Sequence, residues 1–153
     1  MLVFTLPDGE EYRLLHLCLD LNGTLALDGV LRDGVAEQVV RLAQKLTVHL
    51  LTAGTHGGVA AVESAIKVRA VPIARGAEKA LYVERLGGAQ VVAIGNGRND
   101  AEMLRAARLG IAVLGPEGLA LAALRAADIV APDPLSALSL LEHPKRLVAT
   151  LRA

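Results

Sequence analysis

Short, almost continuously apolar runs alternate along the chain with longer segments in which apolar residues recur at every third or fourth position. Apolar runs bounded by Gly, Pro or Asn are typical of buried strands, whereas the longer spacing is typical of helices. The pattern predicts strands at 3–6, 12–19, 47–52, 68–73, 90–95, 111–115 and 128–131. It predicts helices at 35–46, 57–67, 76–87, 98–110, 119–126 and 134–143.

The first two predicted strands flank the turn sequence PDGE, which predicts a hairpin whose second arm continues as a buried strand that ends at Asp20. The later strands alternate with helices and are apolar throughout, a pattern that favours a parallel sheet covered by helices on both faces. We therefore expect an α/β fold with a three-layer, Rossmann-like sheet. The chain of 153 residues fits one domain, 1–153, without internal repeats or linker-like stretches.

Charge and cysteine content limit the possible binding partners and the expected cellular compartment. The chain has 16 basic and 16 acidic residues, and a formal net charge of zero gives no general attraction to nucleic acid or to an anionic membrane. Cys18 is the only cysteine, so an internal disulfide is excluded and a reducing compartment is expected. The first residues do not have the pattern of a signal peptide, and charges interrupt every apolar run. We expect a cytoplasmic protein.

Three polar, Gly-containing loops follow predicted strands: DLNGT after the first buried strand, TAGTHGG after the second and GNGRND after the fourth. Ligands of open parallel sheets bind at the carboxyl ends of the strands, where such loops converge. These loops, together with Lys79, are therefore expected to form one site.

Four motifs in these segments, in chain order, resemble those of the haloacid dehalogenase superfamily of phosphohydrolases. They are the D-x-D-G-T-like stretch beginning at Asp20, the strand that ends at Thr52, the lone Lys79, and AIGNGRNDAEML, which contains Asn96 and Asp100. The resemblance extends through LGIAVLGPEGLALAALRAADIVAP to the phosphorylation domains of transport ATPases. Within the superfamily, the chain looks most similar to the soluble P-type ATPase group.

The resemblance implies a Mg²⁺-dependent reaction in which Asp20 attacks phosphorus and forms an aspartyl phosphate. It assigns catalytic roles to Asp20, Asn22, Thr52 and Lys79. It assigns phosphate or substrate binding to Gly23, Thr24, Thr52, Ala53, Lys79 and Asn99. It assigns metal binding to Asp20, the backbone carbonyl of Asn22, Asn96 and Asp100, and leaves open whether Asn96 or Asp100 is the direct ligand.

Two positions depart from the family pattern. Asn22 stands where the family has the general acid/base, and an amide cannot exchange a proton near neutral pH. Because a general acid/base contributes about 10² to 10⁴ in rate, slow turnover is expected. Asn96 replaces an aspartate beside the metal, which predicts weak Mg²⁺ binding because Mg²⁺ prefers anionic oxygens. A non-catalytic phosphate-binding or regulatory module is the alternative to a slow phosphohydrolase or phosphotransferase.

Simpler interpretations exist for several of these residues. Asn22-Gly23 is also a typical hairpin turn, and LALDGVL is expected to form a small flap around Asp28-Gly29. GNGRND lacks the last glycine of a dinucleotide-binding loop, and Asn99 is a plausible helix cap.

Lys67 competes with Lys79 as the site lysine, and His56 is a weaker candidate for substrate contact. His16, His49 and His143 lack the spacing of metal ligands, and core or edge positions are expected for the first two. Cys18 is expected to be buried on the same side of the strand as Asp20.

The segments between the motifs are too short for a cap domain. The expected partners are a small phosphorylated substrate or a phosphoprotein, with neither nucleic acid nor a membrane involved. An open site implies either a macromolecular substrate or a second subunit that covers it, and a homo-oligomer is expected.

Overall fold

The computed structural model describes residues 1–54, 58–73 and 75–153. The strands are β1 (Leu2–Thr5), β2 (Glu11–Leu14), β3 (His16–Asp20), β4 (Ala26–Leu27), β5 (Val30–Leu31), β6 (Thr47–Thr52), β7 (Ala70–Pro72), β8 (Val91–Gly95), β9 (Leu109–Val113) and β10 (Ile129–Ala131). The helices are α1 (Val35–Leu42), α2 (Val59–Ile66), α3 (Gly76–Arg85), α4 (Ala101–Ala106), α5 (Leu121–Ala126), α6 (Pro134–Glu142) and α7 (Pro144–Leu151).

Six strands form one parallel sheet in the order β10-β9-β8-β3-β6-β7. The central strand β3 pairs with β6 on one side and with β8 on the other. The chain runs from β3 to β6 on one side and reaches β8 on the other side only later. This reversal of strand order opens a crevice at the carboxyl ends of β3 and β8, where ligands bind in open parallel sheets.

Helices cover both faces of this sheet, as the apolar strands require. One core cluster joins the sheet to side chains of α1, α2, α6 and α7, and the second joins it to α3, α4 and α5. On α1, Val35, Val39 and Leu42 are all buried, because residues at this spacing share one helix face. The α/β prediction with a three-layer, Rossmann-like sheet is confirmed.

Two small antiparallel units accompany the sheet. The hairpin of β1 and β2 pairs Leu2 with Leu14 and stacks Phe4 on Tyr12, with ring centroids 4.7 Å apart. The flap of β4 and β5 turns at Asp28-Gly29, both with positive φ. In the part of the chain that the structure describes, only this flap separates β3 from α1, so the prediction of a core without a cap is confirmed there. Among the described residues, no helix is both long and apolar enough to cross a membrane.

The prediction of one strand over 12–19 was wrong. The chain changes sheets at Leu15, whose N–H donates to the carbonyl of Gln90 and whose carbonyl accepts from Thr47, both at 2.8 Å. These bonds join Leu15 to residues that are distant in the sequence, so the apolar pattern continues through the break unchanged. The single run therefore divides into β2 and β3.

Three helix predictions also need correction. Helix α1 ends at Leu42 rather than residue 46, because Gln44 and Lys45 donate to carbonyls three residues back in a tightened turn. Helix α4 ends at Ala106, and Leu109 already pairs with Val92 in the sheet. The pattern also missed α7, which follows α6 after a break at His143.

Candidate active site

The crevice at the carboxyl ends of the central strands collects the polar side chains that the motifs indicated. Asp20 is the last residue of β3, Thr52 is the last of β6, and Asn96 follows β8. Six polar or charged residues are buried in the described part of the chain: Asp20, Thr24, Thr52, Lys79, Asn96 and Asp100. Burial of so many polar groups at one sheet edge requires that they satisfy one another.

Lys79 connects the two acidic residues. Its Nζ donates to Oδ1 of Asp20 and to Oδ1 of Asp100, each at 2.7 Å. Lys79 and Asp100 are both 0% exposed, and Asp20 is 6% exposed. The lysine reaches this position because α3 begins beside the β8 loop and presents Lys79 on its buried face. One cation between two carboxylates leaves a buried group with a net negative charge.

The electrostatics follow from this arrangement. Burial, and after it the nearby Asp100, raise the pKa of Asp20 to about 6 against the opposing effect of Lys79. For Lys79, burial acts to lower the pKa, but the attraction of Asp20 and Asp100 outweighs it, so its pKa lies above the usual value. Lys79 is therefore charged at neutral pH, and Asp20 is a carboxylate that gains or loses its proton close to neutrality.

Asp100 fixes the loop that follows β8. Its Oδ2 accepts hydrogen bonds from the backbone N–H groups of Asn96 at 3.1 Å and Gly97 at 2.9 Å. Gly95 makes this possible, because a Cβ there would lie 2.6 Å from the Asp100 Cβ. Both Asp100 oxygens are engaged, one by Lys79 and the other by the loop.

Around Oδ2 of Asp20, the carboxylate oxygen that Lys79 does not contact, oxygen acceptors outnumber donors. The Thr24 hydroxyl lies 3.0 Å from Asp20 Oδ2 and 3.1 Å from Asn96 Oδ1, and its single proton bonds to only one of them. The Oδ1 of Asn22 is buried and has no partner within the described residues. An excess of buried acceptors costs free energy unless a cation or another donor meets them.

These acceptors suit a hard divalent cation. Carboxylate, amide and main-chain oxygens are the ligands that Mg²⁺ takes in proteins, usually with several waters. No group of three or more His, Cys, Asp and Glu side chains within 1–54, 58–73 and 75–153 is arranged to hold a metal. A cation between Asp20 and Asn96 would therefore be held partly by neutral oxygens.

The other predicted residues lie nearby but make fewer contacts. The buried Thr52 accepts from the N–H of Gly54 at 3.2 Å, Ala53 is half-buried, and Asn99 is exposed. Asn99 does not cap α4, which has no side-chain cap. His56 lies outside the described residues.

Lys79 rather than Lys67 is the lysine that contacts Asp20. Lys67 lies at the C-terminal end of α2 in a left-handed conformation. Cys18 is fully buried, as expected, and burial raises its pKa to about 12. His16 and His49 lie in the sheet and hydrogen-bond each other at 3.1 Å, and His49 also contacts the Tyr82 hydroxyl at 2.9 Å.

Sequence reasoning missed Glu117. It lies on the loop after β9, and its Oε2 contacts the position that a Cβ on Gly23 would occupy. The same loop bonds to Asn96, whose Nδ2 donates to the carbonyl of Gly118 at 3.3 Å. The sequence signal was weak, because LGPEGLA contains a single acidic residue in no recognisable motif and its position depends on the sheet order.

Comparison with known proteins gives results that agree with this geometry. The model of the haloacid dehalogenase-like hydrolase family matches residues 74–123, which include Lys79, Asn96 and Asp100. An uncharacterised protein of Methanocaldococcus jannaschii is 46% identical over 63 residues, which make up 41% of this chain and 68% of that protein. A phospholipid-transporting ATPase of Saccharomyces cerevisiae is 28% identical over 114 residues, or 74% of this chain but only 9% of the ATPase.

Among solved structures, the cobalt-bound deoxy-D-mannose-octulosonate 8-phosphate phosphatase of Haemophilus influenzae superposes with a TM-score of 0.72. The alignment covers 92% of this chain and 94% of the phosphatase, at 11% identity. At that identity the likeness shows a shared fold. The family match, the fold and the order of the four motifs lead to one conclusion: this chain belongs to the haloacid dehalogenase-like hydrolases and is related in sequence to P-type ATPases.

Proposed function

We propose that the protein is a Mg²⁺-dependent phosphohydrolase or phosphotransferase that acts through an aspartyl phosphate on Asp20. Its substrate would be a small phosphorylated molecule or a phosphoprotein. The observation that carries this proposal is the contact of Lys79 Nζ with both Asp20 and Asp100 in the crevice at the end of β3. A buried carboxylate nucleophile, a fixed cation and a second acid are the groups that phosphoryl transfer requires.

In the first step, a carboxylate oxygen of Asp20 attacks phosphorus and the bond from phosphorus to the leaving oxygen breaks. Lys79 would balance negative charge on the phosphoryl oxygens, and the hydroxyl of Thr52, at the end of the neighbouring strand β6, would contribute a hydrogen bond. The leaving oxygen takes its proton from solvent, since the side-chain amide of Asn22 does not release a proton near neutral pH. In the second step, water attacks phosphorus, the bond from phosphorus to the Asp20 oxygen breaks, and the proton of the water passes to solvent, so phosphate leaves and the Asp20 carboxylate is restored.

The residues that would hold Mg²⁺ are Asp20, the backbone carbonyl of Asn22, Asn96 and Asp100. When bound, the cation supplies positive charge that neutralises the transferring phosphoryl group. Asp20 Oδ2 and Asn96 Oδ1 have only the one proton of the Thr24 hydroxyl between them, which favours Asp20 and Asn96 as direct ligands. The carboxylate of Asp100 is already held by Lys79 and the loop, so it would act through water.

Asn22 is expected to slow the second step more than the first. The attacking water needs a base to remove its proton, and an amide does not serve. The phosphoenzyme would therefore persist long enough to be isolated. This expectation supports phosphotransfer to a second acceptor as well as slow hydrolysis.

The test is to incubate the protein with Mg²⁺ and acetyl phosphate or p-nitrophenyl phosphate, comparing wild type, Asp20→Asn and Asp8→Asn. Asp8 is exposed at the hairpin turn, where asparagine can also accept the hydrogen bond from the Glu10 N–H. Wild type and Asp8→Asn should release product and form a base-labile phosphoprotein, and Asp20→Asn should do neither.

A phosphate-binding or regulatory module is the second candidate, and the amides at Asn22 and Asn96 favour it because they remove two carboxylates from the site. If wild type and Asp20→Asn are equally inactive and both bind inorganic phosphate, the module interpretation replaces the enzymatic one.

We also propose that a second copy of the chain covers the site. The flap beside it exposes Val30 at 70% and Leu27 at 37% to solvent. Burial of these side chains would contribute about 1.5–3 kcal/mol each at most. Gel filtration with light scattering should show an oligomer that Val30→Glu dissociates, and a wild-type monomer would contradict the proposal.

A further inference from the structure

The loop formed by residues 114–120, which follows β9, lies against the site and is attached to it through Asn96. The Asn96 side-chain Nδ2 donates to the Gly118 carbonyl at 3.3 Å, and the Asn96 carbonyl accepts from the Ala120 N–H at 3.0 Å. One residue of the β8 loop thus holds two points of the 114–120 loop. Glu117 directly precedes the first of these anchors, so the hydrogen bond to Gly118 holds it beside Asn96.

The carboxylate of Glu117 shares a small space with Gly23 and Asn96. A Cβ on Gly23 would meet Glu117 Oε2 and would lie 2.8 Å from Asn96 Nδ2 and 3.0 Å from Asn96 Oδ1. Gly23 has φ +78, so a side chain is disfavoured there by conformation as well. The glycine therefore leaves room in which an acidic side chain approaches the Asn96 amide.

This space is rich in oxygen acceptors. Asn96 Oδ1 and Asp20 Oδ2 share the single proton of the Thr24 hydroxyl, and Asn96 is only 6% exposed. Lys79 contacts the opposite oxygen of Asp20. Within the part of the chain that the structure describes, no basic side chain forms a salt bridge with Glu117. A cation here would satisfy oxygens that the protein leaves without sufficient donors.

We infer that Glu117 supplies the carboxylate that Asn96 lacks, and that it binds the divalent cation together with Asp20 and the Asn96 amide oxygen, directly or through a water. The inference rests on the proposed function, because it concerns the cation of the same site. It replaces the expectation of weak Mg²⁺ binding with that of binding that depends on Glu117.

The same contacts explain why an amide stands at position 96. An aspartate there would lose the hydrogen bond to the Gly118 carbonyl and would place its charge beside the Glu117 carboxylate. Like charges that lie close together disfavour each other. Asn96 and Glu117 therefore form a matched pair, in which the amide positions the loop and the loop provides the charge.

The proposed role of Glu117 in cation binding is tested with Mn²⁺, an oxygen-preferring substitute for Mg²⁺. Binding is measured by electron paramagnetic resonance and calorimetry on protein without substrate. Glu117→Gln should weaken Mn²⁺ binding by about tenfold or more, which corresponds to about 1.4 kcal/mol. Glu84→Gln, an exposed residue near the far end of α3, is the matched control and should bind as wild type does. Adding Asn96→Asp to Glu117→Gln should restore affinity to within about threefold of wild type.

Because Glu117 is exposed, the glutamine variant should fold, and its unfolding temperature without metal checks this. Equal Mn²⁺ affinity of wild type and Glu117→Gln, or no binding by wild type, would overturn the inference. Glu117-dependent binding without phosphorylation of Asp20 would overturn the proposed function alone. Cation-dependent phosphorylation with unchanged Mn²⁺ affinity in Glu117→Gln would overturn the inference alone.

Discussion

Lys79 Nζ lies 2.7 Å from Oδ1 of Asp100, and both side chains are completely buried. A buried ion pair is costly to break, because the remaining partner loses its compensating charge. The same ammonium group also neutralises Asp20. Stability and the proposed chemistry therefore depend on the same three side chains.

Replacing Lys79 with methionine should keep the volume of the side chain but leave two carboxylates buried together. We expect a loss of about 3–5 kcal/mol in the free energy of unfolding at pH 8, measured by urea denaturation. The loss should shrink at pH 5, where one carboxylate takes up a proton, and it should also shrink in the double variant with Asp100→Asn. A loss that does not change with pH would mean that the ammonium group is not what compensates the two acids.

The raised pKa of Asp20 gives stability a defined pH dependence in metal-free protein. Because its pKa in the folded state, about 6, exceeds the ordinary value of 3.8, the folded protein holds this proton more tightly than the unfolded chain. The stabilisation of the folded state by proton binding at Asp20 is fully present below pH 3.8 and is lost as pH rises through about 6. With chelator present, wild type should lose stability relative to Asp20→Asn between pH 5 and pH 7. A difference between the two proteins that stays constant over this range would contradict the raised pKa.

Restoring an acid at position 22 should accelerate loss of the phosphoryl group. In Asn22→Asp, we expect the phosphoenzyme to decay faster than in wild type by at least about tenfold, and by up to the 10² to 10⁴ of a general base. Decay is followed on protein that is already phosphorylated, so a smaller folded fraction does not alter the result. Gln44→Glu, which adds a carboxylate at an exposed position in the turn after α1, should decay as wild type does. Equal decay in Asn22→Asp and wild type would show that proton transfer does not limit the rate.

Much of the sheet could be predicted from the sequence because buried parallel strands are apolar over their whole length. The strand Thr47–Thr52 was predicted with its observed bounds, and Asp20 was predicted at the end of the strand that proves to be central. The convergence of Asp20, Lys79 and the β8 loop also followed, since parallel strands bring their carboxyl ends to one edge.

Other features depend on contacts between distant segments, which apolar periodicity does not encode. The break at Leu15 results from hydrogen bonds to Gln90 and Thr47, and these partners are unknown until the sheet order is known. Glu117 reaches Gly23 only because β9 lies next to β8 in the sheet and its loop folds back over Asn96. Both were therefore missed from the sequence for the same physical reason.

The most direct test of the central claim is to locate the phosphoryl group on the protein. Wild type is treated with acetyl phosphate and Mg²⁺ and quenched in acid, and the modified peptide is then identified by mass spectrometry after borohydride reduction of the acyl phosphate. We predict one modified residue, Asp20, in wild type and in Asp8→Asn, and none in Asp20→Asn. Modification at another residue, or equal modification of wild type and Asp20→Asn, would contradict the proposal that Asp20 is the nucleophile.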